Sequence, residues 1–309
     1  MSQAAESPGA GPAAEPGAGG LAAVVTAYHP DERLGAVVQA ALRSCELVVV
    51  ADNTPGDAPS LADKLDDPRV RVLRSGRNLG LAGALNLGLA EVPGDAEAVL
   101  FLDQDSVLPP ELVAGLRAHL ADPRIGVVGP TPVDADTGAR YERLADQHAA
   151  LDDRPSIITS GMLVRRGCFE QVPGFREGFF VDCVDTDFCL RVRRSGQRVV
   201  RDALLVLPHS IGSGRDHRLG PLTVRVLHYP AWRHYWIARN GIVLTREFGA
   251  RERGFALTNA LFTARWLLVT ALFDERRRAS VPAVLSGLLD GLTGRVSRRR
   301  LPPGAEYSP

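Results

Sequence analysis

Residues Ala98-Val99-Leu100-Phe101-Leu102-Asp103-Gln104-Asp105-Ser106 are the most informative stretch of this 309-residue chain. The apolar run up to Leu102 is typical of a strand that is buried on both faces of a sheet. Pro109-Pro110-Glu111 follows, and a proline ahead of an apolar repeat predicts the N-terminus of a helix. The pattern therefore places Asp103 and Asp105 at the carboxyl end of a central strand, where open α/β sheets bind their ligands.

Three further apolar runs precede this strand, and segments with apolar residues at helical spacing separate them. The predicted strands are residues 21–28, 47–51, 70–73 and 98–102. Strands that alternate with helices indicate an α/β fold: a mainly parallel, right-handed sheet with helices on both faces. Weaker runs predict more strands at 125–128, 157–159 and 204–207. Beyond Arg215 we expect helices.

The length of the chain suits one large α/β domain with an appendage. Residues 1–20 consist mainly of Ala, Gly, Pro and Glu, so we expect a disordered tail there and not a signal peptide. We expect the α/β domain to occupy residues 21–215 and a C-terminal helical region to occupy residues 216–309.

Charge is balanced in total but unevenly distributed. Lys and Arg together number 36, as do Asp and Glu, so no overall field favours nucleic acid and none is expected as a partner. Arginine triplets at 276–278 and 298–300 indicate a local contact with an anionic surface. The four cysteines have neither zinc-binding nor disulfide-framework spacing, which fits a reducing cytoplasm.

Two segments near the C-terminus bear on a membrane. Residues 257–273 are mostly apolar but contain Asn259 and Arg265, and their length is marginal for crossing a bilayer. From Val281 to Val296 apolar residues recur at helical spacing before the last arginines, which predicts a basic amphipathic helix in a membrane interface. The alternative is a helix packed on the α/β domain. We therefore expect a cytoplasmic protein, peripheral on the inner face of the plasma membrane.

Polar side chains follow the first four predicted strands. Parallel strands open at one edge, so we expect one cleft to collect Thr26, Asp52, Asn53, Arg77, Asn78, Asp103 and Asp105. Two carboxylates at that edge suit Mg²⁺ or Mn²⁺, which prefer oxygen ligands. The alternative is that Asp103 and Asp105 only cap the following helix.

A second acidic cluster consists of Asp182, Asp185 and Asp187 at the start of a predicted helix. The neighbouring Phe179 and Phe180 favour a raised carboxyl pKa, which suits a general base. Acids in a first helical turn also favour the helix dipole, so capping alone is the alternative.

Two isolated residues each leave two interpretations open. His209 follows the last predicted strand, where a neutral imidazole either binds a metal at the same sheet edge or is structural. Gly161, in the Ser160-Gly161 turn, permits either close approach of a ligand or an ordinary bulge.

With these residues in hand, the chain resembles the inverting family-2 glycosyltransferases of the GT-A type, and within them the bacterial rhamnosyltransferases. The matching stretches occur in order over residues 21–245. They are Val25 to Asp31, Val50 to Asn53, Asn78 to Asn86, Phe101 to Ser106, Ser160 to Arg165, Asp182 to Arg191, and Arg239-Asn240. The Leu-Asp-Gln-Asp-Ser form of the fourth stretch points to rhamnose.

The resemblance implies a GT-A-type, Rossmann-like sheet that transfers L-rhamnose from dTDP-L-rhamnose to a cell-surface polysaccharide or a polyprenyl-linked glycan. It implies donor contacts from Thr26, Asp52, Asn53, Arg77, Asn78, Asp103 and Gln104. A Mg²⁺ or Mn²⁺ ion is implied on Asp103, Asp105 and His209. Asp185 occupies the position of the catalytic base. The acceptor or sugar pocket is assigned to Ser160, Gly161, Asp182 and Asp187.

The chain departs from the family pattern around this base. Val184-Asp185 stands where many relatives have Glu-Asp, and Asp187 stands where others have Glu. Asp182 and Asp187 therefore stay open as alternatives to Asp185.

Three other functions were weighed against this one. A haloacid-dehalogenase-type phosphatase needs a lysine after its Asp motif, and Lys64 is the only lysine of the chain. The same fold with a galactofuranose or N-acetylglucosamine donor is the enzymatic alternative. A non-catalytic, membrane-associated glycan-binding protein would be expected to have lost part of the site, yet all four of its key residues are present: Asp103, Asp105, Asp185 and His209.

Overall fold

The computed structural model describes residues 19–135, 137–140, 150–210, 214–219, 222–227 and 229–307. The predicted tail therefore lies outside the described residues except for Gly19 and Gly20.

An eight-stranded sheet forms the centre of the molecule, with the strand order β3-β2-β1-β4-β7-β5-β8-β6. The strands are β1 (Leu21–Ala27), β2 (Leu47–Asp52), β3 (Val70–Arg74), β4 (Ala98–Asp103), β5 (Ile125–Asp134), β6 (Leu151–Asp153), β7 (Met162–Arg165) and β8 (Arg198–His209). β7 runs antiparallel to both of its neighbours, and β6 is an antiparallel edge strand. The other neighbouring pairs are parallel. The predicted mainly parallel sheet is confirmed.

Helices cover both faces of this sheet, as predicted. They are α1 (Arg33–Leu42), α2 (Gly80–Ala90), α3 (Leu112–His119), α4 (Cys168–Gln171), α5 (Val184–Arg194), α6 (Ala231–Phe248), α7 (Arg253–Phe273) and α8 (Arg277–Thr293). Alternate residues of β4 point to opposite faces. Leu100 and Leu102 pack in the core with α1 and α3, whereas Val99 and Phe101 pack with α2 and α5. This two-sided burial explains why β4 is apolar without interruption.

Two weaker predictions differ from the structure. Residues 157–159 are not a strand: the apolar side chain of Ile157 is buried against Gly129 and Cys189, and the chain then turns into β7. Helix does not follow Arg215 directly, because an antiparallel pair, β9 (Gly214–Leu219) and β10 (Leu222–Leu227), comes first. Alternating apolar and polar residues in β10 are typical of a strand and were overlooked. The helices begin at Ala231.

α8 packs closely on α6 because its contact face is made of small residues. Ala283, Gly287 and Gly291 are buried there, and a Cβ added at Gly287 would lie 2.4 Å from the backbone oxygen of Tyr235. The leucines of α8 lie elsewhere, since Leu285, Leu289 and Leu292 are exposed. Of the apolar residues grouped by spacing, Val284 is buried and Leu285, Leu289 and Leu292 are exposed, so the expected packing of this side, on a membrane or on the domain, stays open.

Gly287→Ala is expected to lower the free energy of unfolding by about 1–3 kcal/mol, because the new methyl group overpacks the α6–α8 contact. Gly254→Ala is the matched control, since Gly254 also lies in a helix but has no atom within 4 Å of its added Cβ. The control should be neutral or more stable through its helix propensity. Urea unfolding measures both, and equal stability of the two variants would contradict this packing.

Candidate active site

A cleft of about 500 Å³ opens at the carboxyl edge of β1, β2 and β4. Thr26 and Asn53 line it at the ends of β1 and β2, and the Asp103-Gln104-Asp105 motif lines it after β4. The opposite wall comes from the start of α6, with Trp232 and Arg233. The predicted convergence of strand ends on one cleft is therefore observed for β1, β2 and β4.

Asp103, Asp105 and His209 each offer one ligand atom, and these atoms lie within 4.8 Å of one another. Asp103 ends β4, whereas His209 ends β8, which lies three places away in the sheet order. Two carboxylates and an imidazole are a chemically suitable donor set for a divalent transition-metal ion such as Mn²⁺. Ser106 lies behind the imidazole, with its Oγ 3.1 Å from Nδ1 of His209, and so orients the ring as partners of metal-ligating histidines do.

The charge around Asp103 also favours a cation. Burial raises the pKa of Asp103 above its ordinary value, while the nearby His209 opposes the rise and the Asp105 carboxylate adds to it. The backbone N–H of Asp103 donates to Oγ of Ser160 at 3.3 Å. An ion seated between the two carboxylates would offset their mutual repulsion.

Asp185 lies in the first turn of α5, four residues after Val181 of the cleft lining, but it does not line the cleft itself. Burial raises the pKa of Asp185 to about 6, and the charges of Asp182 and Asp103 add to that rise. The N–H of Thr186 donates to the Asp185 carboxylate at 2.7 Å, and this hydrogen bond opposes the rise in pKa. The charge of Asp103 is the smallest of these contributions, so burial is the main reason for the raised pKa of Asp185.

The other two acids of the second cluster are held by arginines. Asp182 forms a two-pronged ion pair with Arg233, with the shortest contact at 2.9 Å. Asp187 is fully buried, with carboxylate oxygens 2.7 Å from Arg191 and 3.0 Å from Arg176, and it does not line the cleft. None of the three acids lines the cleft, and Asp185 is favoured as a proton acceptor because its carboxylate is bonded to Thr186, whereas the other two are ion-paired with arginines.

The turn before α5 has an unusual backbone that α6 holds in place. Phe180, Asp182 and Cys183 have φ values of 55°, 58° and 60°, which non-glycine residues rarely adopt. Nδ2 of Asn240 lies 2.9 Å from each of three carbonyl oxygens, those of Phe179, Val181 and Asp182. This buried amide holds the turn in the conformation that aims Asp182 and Asp185.

Trp236 and Arg239 of α6 support the same turn. The ring of Trp236 stacks on Phe180 with a centroid distance of 5.5 Å, and Nη1 of Arg239 donates to the carbonyl of Gly178 at 3.0 Å. Arg239 also donates to Oδ1 of Asn240 at 2.9 Å, which fixes the orientation of that amide. The Arg239-Asn240 pair noted in the sequence therefore acts on the backbone and does not line the cleft.

Three predicted donor residues line the cleft but are already engaged with the protein. Asn53 donates to Oδ1 of Asn78 at 2.9 Å and accepts from the N–H of Leu79 at 2.7 Å. Oε1 of Gln104 accepts from the N–H of Tyr28 at 2.7 Å. These bonds tie together the ends of the strands that form the cleft.

Besides Asp182, Asp185 and Asp187, four predicted residues lie outside the lining of the cleft. Asp52 is fully buried, where it accepts from the N–H of Thr54 at 3.0 Å. Arg77 pairs with Glu306 beside a second cavity. Ser160 lies behind Asp103, and Gly161 adopts a φ of 81° against Pro130, which would lie 2.8 Å from an added Cβ. The space at Gly161 is therefore filled by protein, as in an ordinary tight turn.

The aromatic wall of the cleft was missed by sequence reasoning. Tyr229, Trp232 and Pro302 line it, and the guanidinium of Arg233 lies 4.2 Å from the centroid of the Tyr229 ring. The signal available was the mixture of aromatics and arginines near residue 232, which core packing explained equally well. Periodicity does not reveal that the start of α6 returns to the sheet edge.

Comparison with known proteins supports one family. The family described as Glycosyl transferase family 2 matches residues 22–192. dTDP-rhamnosyl transferase RfbF of Shigella flexneri is 29% identical over 242 residues, which cover 73% of this chain and 79% of that protein. N-acetylglucosaminyl-diphospho-decaprenol L-rhamnosyltransferase of Mycobacterium tuberculosis is 31% identical over 241 residues, 63% of this chain and 78% of that protein.

Solved structures share the fold. The crystal structure of S. aureus TarS 1-349 has a TM-score of 0.58 at 12% identity and covers 88% of this chain and 80% of its own. The same fragment in complex with UDP-GlcNAc has a TM-score of 0.53 at 12% identity, with coverages of 90% and 93%. At such identity the likeness concerns the fold alone, and the GT-A-type fold expected from the sequence is confirmed.

Asp185→Asn should make the metal-free protein more stable at pH 7.5 but much less so at pH 4.5. Because the folded state raises the pKa of Asp185 from 3.8 to about 6, ionisation costs stability as pH rises through this window. At pH 7.5 the penalty removed is about 2–3 kcal/mol, less the weaker bond to Thr186. Urea unfolding in EDTA at both pH values measures the difference.

Asp187→Asn is the control for that measurement, because it leaves Arg176 and Arg191 without their buried carboxylate and should destabilise the fold at pH 7.5. An Asp185→Asn protein no more stable than wild type at pH 7.5 would contradict the environment assigned to Asp185.

Asn240→Ala should loosen the turn without unfolding the sheet, because three carbonyl groups lose their donor. Amide hydrogen exchange over residues 178–186 is expected to accelerate by at least about tenfold, while exchange in β1 and β4 stays unchanged. Asn86→Ala is the control, since Asn86 bonds the neighbouring Phe175 from α2. Unchanged exchange over residues 178–186 in Asn240→Ala would show that the turn keeps its conformation without the Asn240 amide.

Proposed function

Since this chain belongs to glycosyl transferase family 2, we propose that it transfers L-rhamnose from dTDP-L-rhamnose to a hydroxyl group of a polysaccharide or polyprenyl-linked glycan. Membership of the family makes it a glycosyltransferase, and the sugar and acceptor are the proposed part. The two relatives named as rhamnosyltransferases support the sugar, and one of them is named for a decaprenol-linked substrate. The domain division, with the catalytic part at 21–215, is proposed with it.

One observation supports the proposal: Asp103, Asp105 and His209 form a possible cation site in the lining of the cleft, and Asp185 begins the helix that follows Phe180 and Val181 of the same lining. A transfer with inversion is a single displacement, in which the bond from the acceptor oxygen to C1 forms while the bond from C1 to the diphosphate breaks. The base and the leaving group must therefore lie on opposite sides of the sugar.

Asp185 is proposed to take the proton of the attacking hydroxyl. A carboxyl with a pKa of about 6 is ionised at neutral pH yet more basic than an ordinary aspartate. The proton leaves the acceptor oxygen as that oxygen bonds to C1, and the electron pair of the broken bond departs with the dTDP. Asp182 is proposed to border the sugar pocket, close to the base.

Asp103, Asp105 and His209 are proposed to hold the divalent cation, Mg²⁺ or Mn²⁺. When bound, such an ion acts as a Lewis acid on the oxygens of the diphosphate. Arg233 adds positive charge to the same cleft, because the Asp182 carboxylate holds the pKa of Arg233 above its ordinary value despite burial. Diphosphate binding is therefore proposed to draw on Arg233 as well.

Donor recognition is proposed to involve the edge formed by Thr26, Asn53, Asn78 and Gln104. Asp52 is proposed to support donor binding indirectly, because its buried carboxylate lies 3.8 Å from Nε of Arg74. Arg77, Ser160, Gly161 and Asp187 are proposed to support the surrounding loops, since the structure places them outside the lining. The protein is proposed to act at the cytoplasmic face of the plasma membrane.

Asp185→Asn should lower kcat by at least about a thousandfold and leave Mn²⁺-dependent binding of the dTDP donor near wild type, because only proton removal is lost. Asp105→Ala should weaken that donor binding by at least about tenfold, since it removes a ligand of the cation. Calorimetry measures the binding, and release of dTDP in the presence of a glycan acceptor measures the turnover.

Asp187→Asn is the matched acid control. Any loss of turnover in this variant should follow from its lower stability and not from lost proton transfer. Undiminished turnover by Asp185→Asn would assign the base to another group. A wild-type preference for UDP-galactofuranose or UDP-N-acetylglucosamine over dTDP-rhamnose would refute the proposed donor. No turnover with any of these donors would favour a glycan-binding role.

A further inference from the structure

The C-terminal helices carry most of the exposed apolar surface. Eight of the twelve large apolar side chains that are exposed in the described part of the chain lie on α7 and α8. They are Leu257, Leu261, Phe262, Leu268, Leu272, Leu285, Leu289 and Leu292. Such a concentration marks an interaction surface, whereas single exposed leucines need no explanation.

α7 has its polar anchors inside and its leucines outside. Nδ2 of Asn259 donates to the carbonyl of Gly241 in α6 at 2.9 Å, and Nε1 of Trp266 donates to Nδ1 of His234 at 3.1 Å. At 100° per residue, the four exposed leucines of α7 (Leu257, Leu261, Leu268 and Leu272) fall within about 60° of one another on the opposite side. An arrangement with the apolar side toward solvent is the reverse of that expected for a helix of a free globular domain.

α8 repeats this arrangement. Its small residues face α6, whereas Leu285, Leu289 and Leu292 are more than half exposed, at 51%, 61% and 57%. The outward leucines of α7 and α8 are here called the leucine face. α7 is also long and apolar enough to cross a membrane by length and composition, with 6% of its apolar window buried.

Positive charge surrounds the leucine face. Residues 251–300 contain ten arginines and four acids, in a chain whose net charge is zero. Three of those acids face the protein: Glu252 pairs with Arg193, Asp274 lies 3.4 Å from His234, and Asp290 accepts from Tyr235. The arginines of the 276–278 triplet and Arg265 are exposed.

We propose that the leucine face docks on an anionic lipid bilayer, with α7 and α8 lying in the interface. In this arrangement the exposed leucines enter the boundary between headgroups and acyl chains, and the arginines contact anionic headgroups. A bilayer therefore accounts for both the apolar and the basic character of the surface. A second copy of the chain would instead bring two arginine-rich surfaces together. Exposed Arg265, midway along α7, opposes a spanning orientation but suits an interfacial one.

This docking surface adjoins the cleft. The ring of Trp266 in α7 stacks on that of Tyr229 with a centroid distance of 5.8 Å, and Tyr229 lines the cleft. The turn that carries the arginine triplet follows Asp274, which contacts His234 in the first turns of α6. A docked protein therefore brings the aromatic wall of the cleft next to the membrane surface, where a lipid-linked acceptor resides. This last step rests on the proposed function, whereas the docking does not.

Sedimentation with vesicles tests the docking in the full chain. Wild-type protein should bind vesicles of phosphatidylcholine with phosphatidylglycerol and bind pure phosphatidylcholine at least about tenfold more weakly. The triple variant Leu261→Gln, Leu268→Gln, Leu272→Gln should lose more than about tenfold in partitioning, because it removes the buried apolar area. Leu204→Gln is the matched control, since Leu204 is 75% exposed on β8, and it should bind like wild type.

Charge reversal provides the second arm. Arg276→Glu, Arg277→Glu, Arg278→Glu should weaken binding to the phosphatidylglycerol vesicles by roughly fivefold or more per arginine that meets the surface, and the loss should shrink at high salt.

Three results would overturn the docking. They are wild-type protein that stays in the supernatant with anionic vesicles at low salt, a leucine variant that binds as wild type does, and a wild-type dimer that the leucine variant dissociates. Turnover of a soluble acceptor separates this test from the proposed function. A wild-type protein that is active but ignores vesicles refutes the docking alone, whereas one that binds vesicles but transfers no sugar refutes the function alone.

Discussion

The concentration of negative charge at one sheet edge is the constraint on which the rest of the structure depends. Asp103 ends β4 and Asp105 follows it in the lining of the cleft, while burial, with smaller contributions from the charges of Asp182 and Asp103, raises the pKa of Asp185. Carboxylates arranged in this way destabilise a fold unless cations compensate them. Arg233 supplies positive charge to this cleft, and Asp103, Asp105 and His209 form a donor set that suits a divalent ion.

Much of the remaining architecture keeps those carboxylates in place. The parallel strands bring Asp103 to the edge, and β8 returns His209 to it from three strands away. On the other side, α6 supports a turn with three positive φ values through Asn240, Arg239 and Trp236. A strained turn that needs support from a separate helix is typical of a functional site, because its cost is met by the surrounding contacts. α6 also bears the arginine-rich helices, so one element links the cleft to the leucine face.

Burial patterns made most of the fold predictable. Apolar runs without polar alternation identified β1, β2 and β4, because a strand that is covered on both faces has apolar residues at every position. The apolar run at 157–159 wrongly predicted a strand, because an apolar residue such as Ile157 is buried equally well in a segment that does not pair with a strand. In α8 small residues such as Ala283, Gly287 and Gly291 are buried and three leucines are exposed, so the expected contact of its apolar side with a membrane stays a prediction. Within the site, the strand-end rule placed Asp103 and Asn53 in the cleft. It did not reveal that Arg77 pairs with Glu306, nor that Trp232 completes the wall, because those contacts join segments more than 100 residues apart.

A crystal structure with Mn²⁺ and a non-transferable dTDP-rhamnose analogue would show whether the cation and Asp185 act on the same sugar. We expect an anomalous Mn²⁺ peak at coordination distance, about 2.2 Å, from the Asp105 and His209 ligand atoms, as such ligands require. We also expect the carboxylate of Asp185 on the side of C1 opposite the diphosphate. A nucleotide bound beside Arg77 and Glu306, or a sugar whose C1 lies out of reach of Asp185, would refute the shared site.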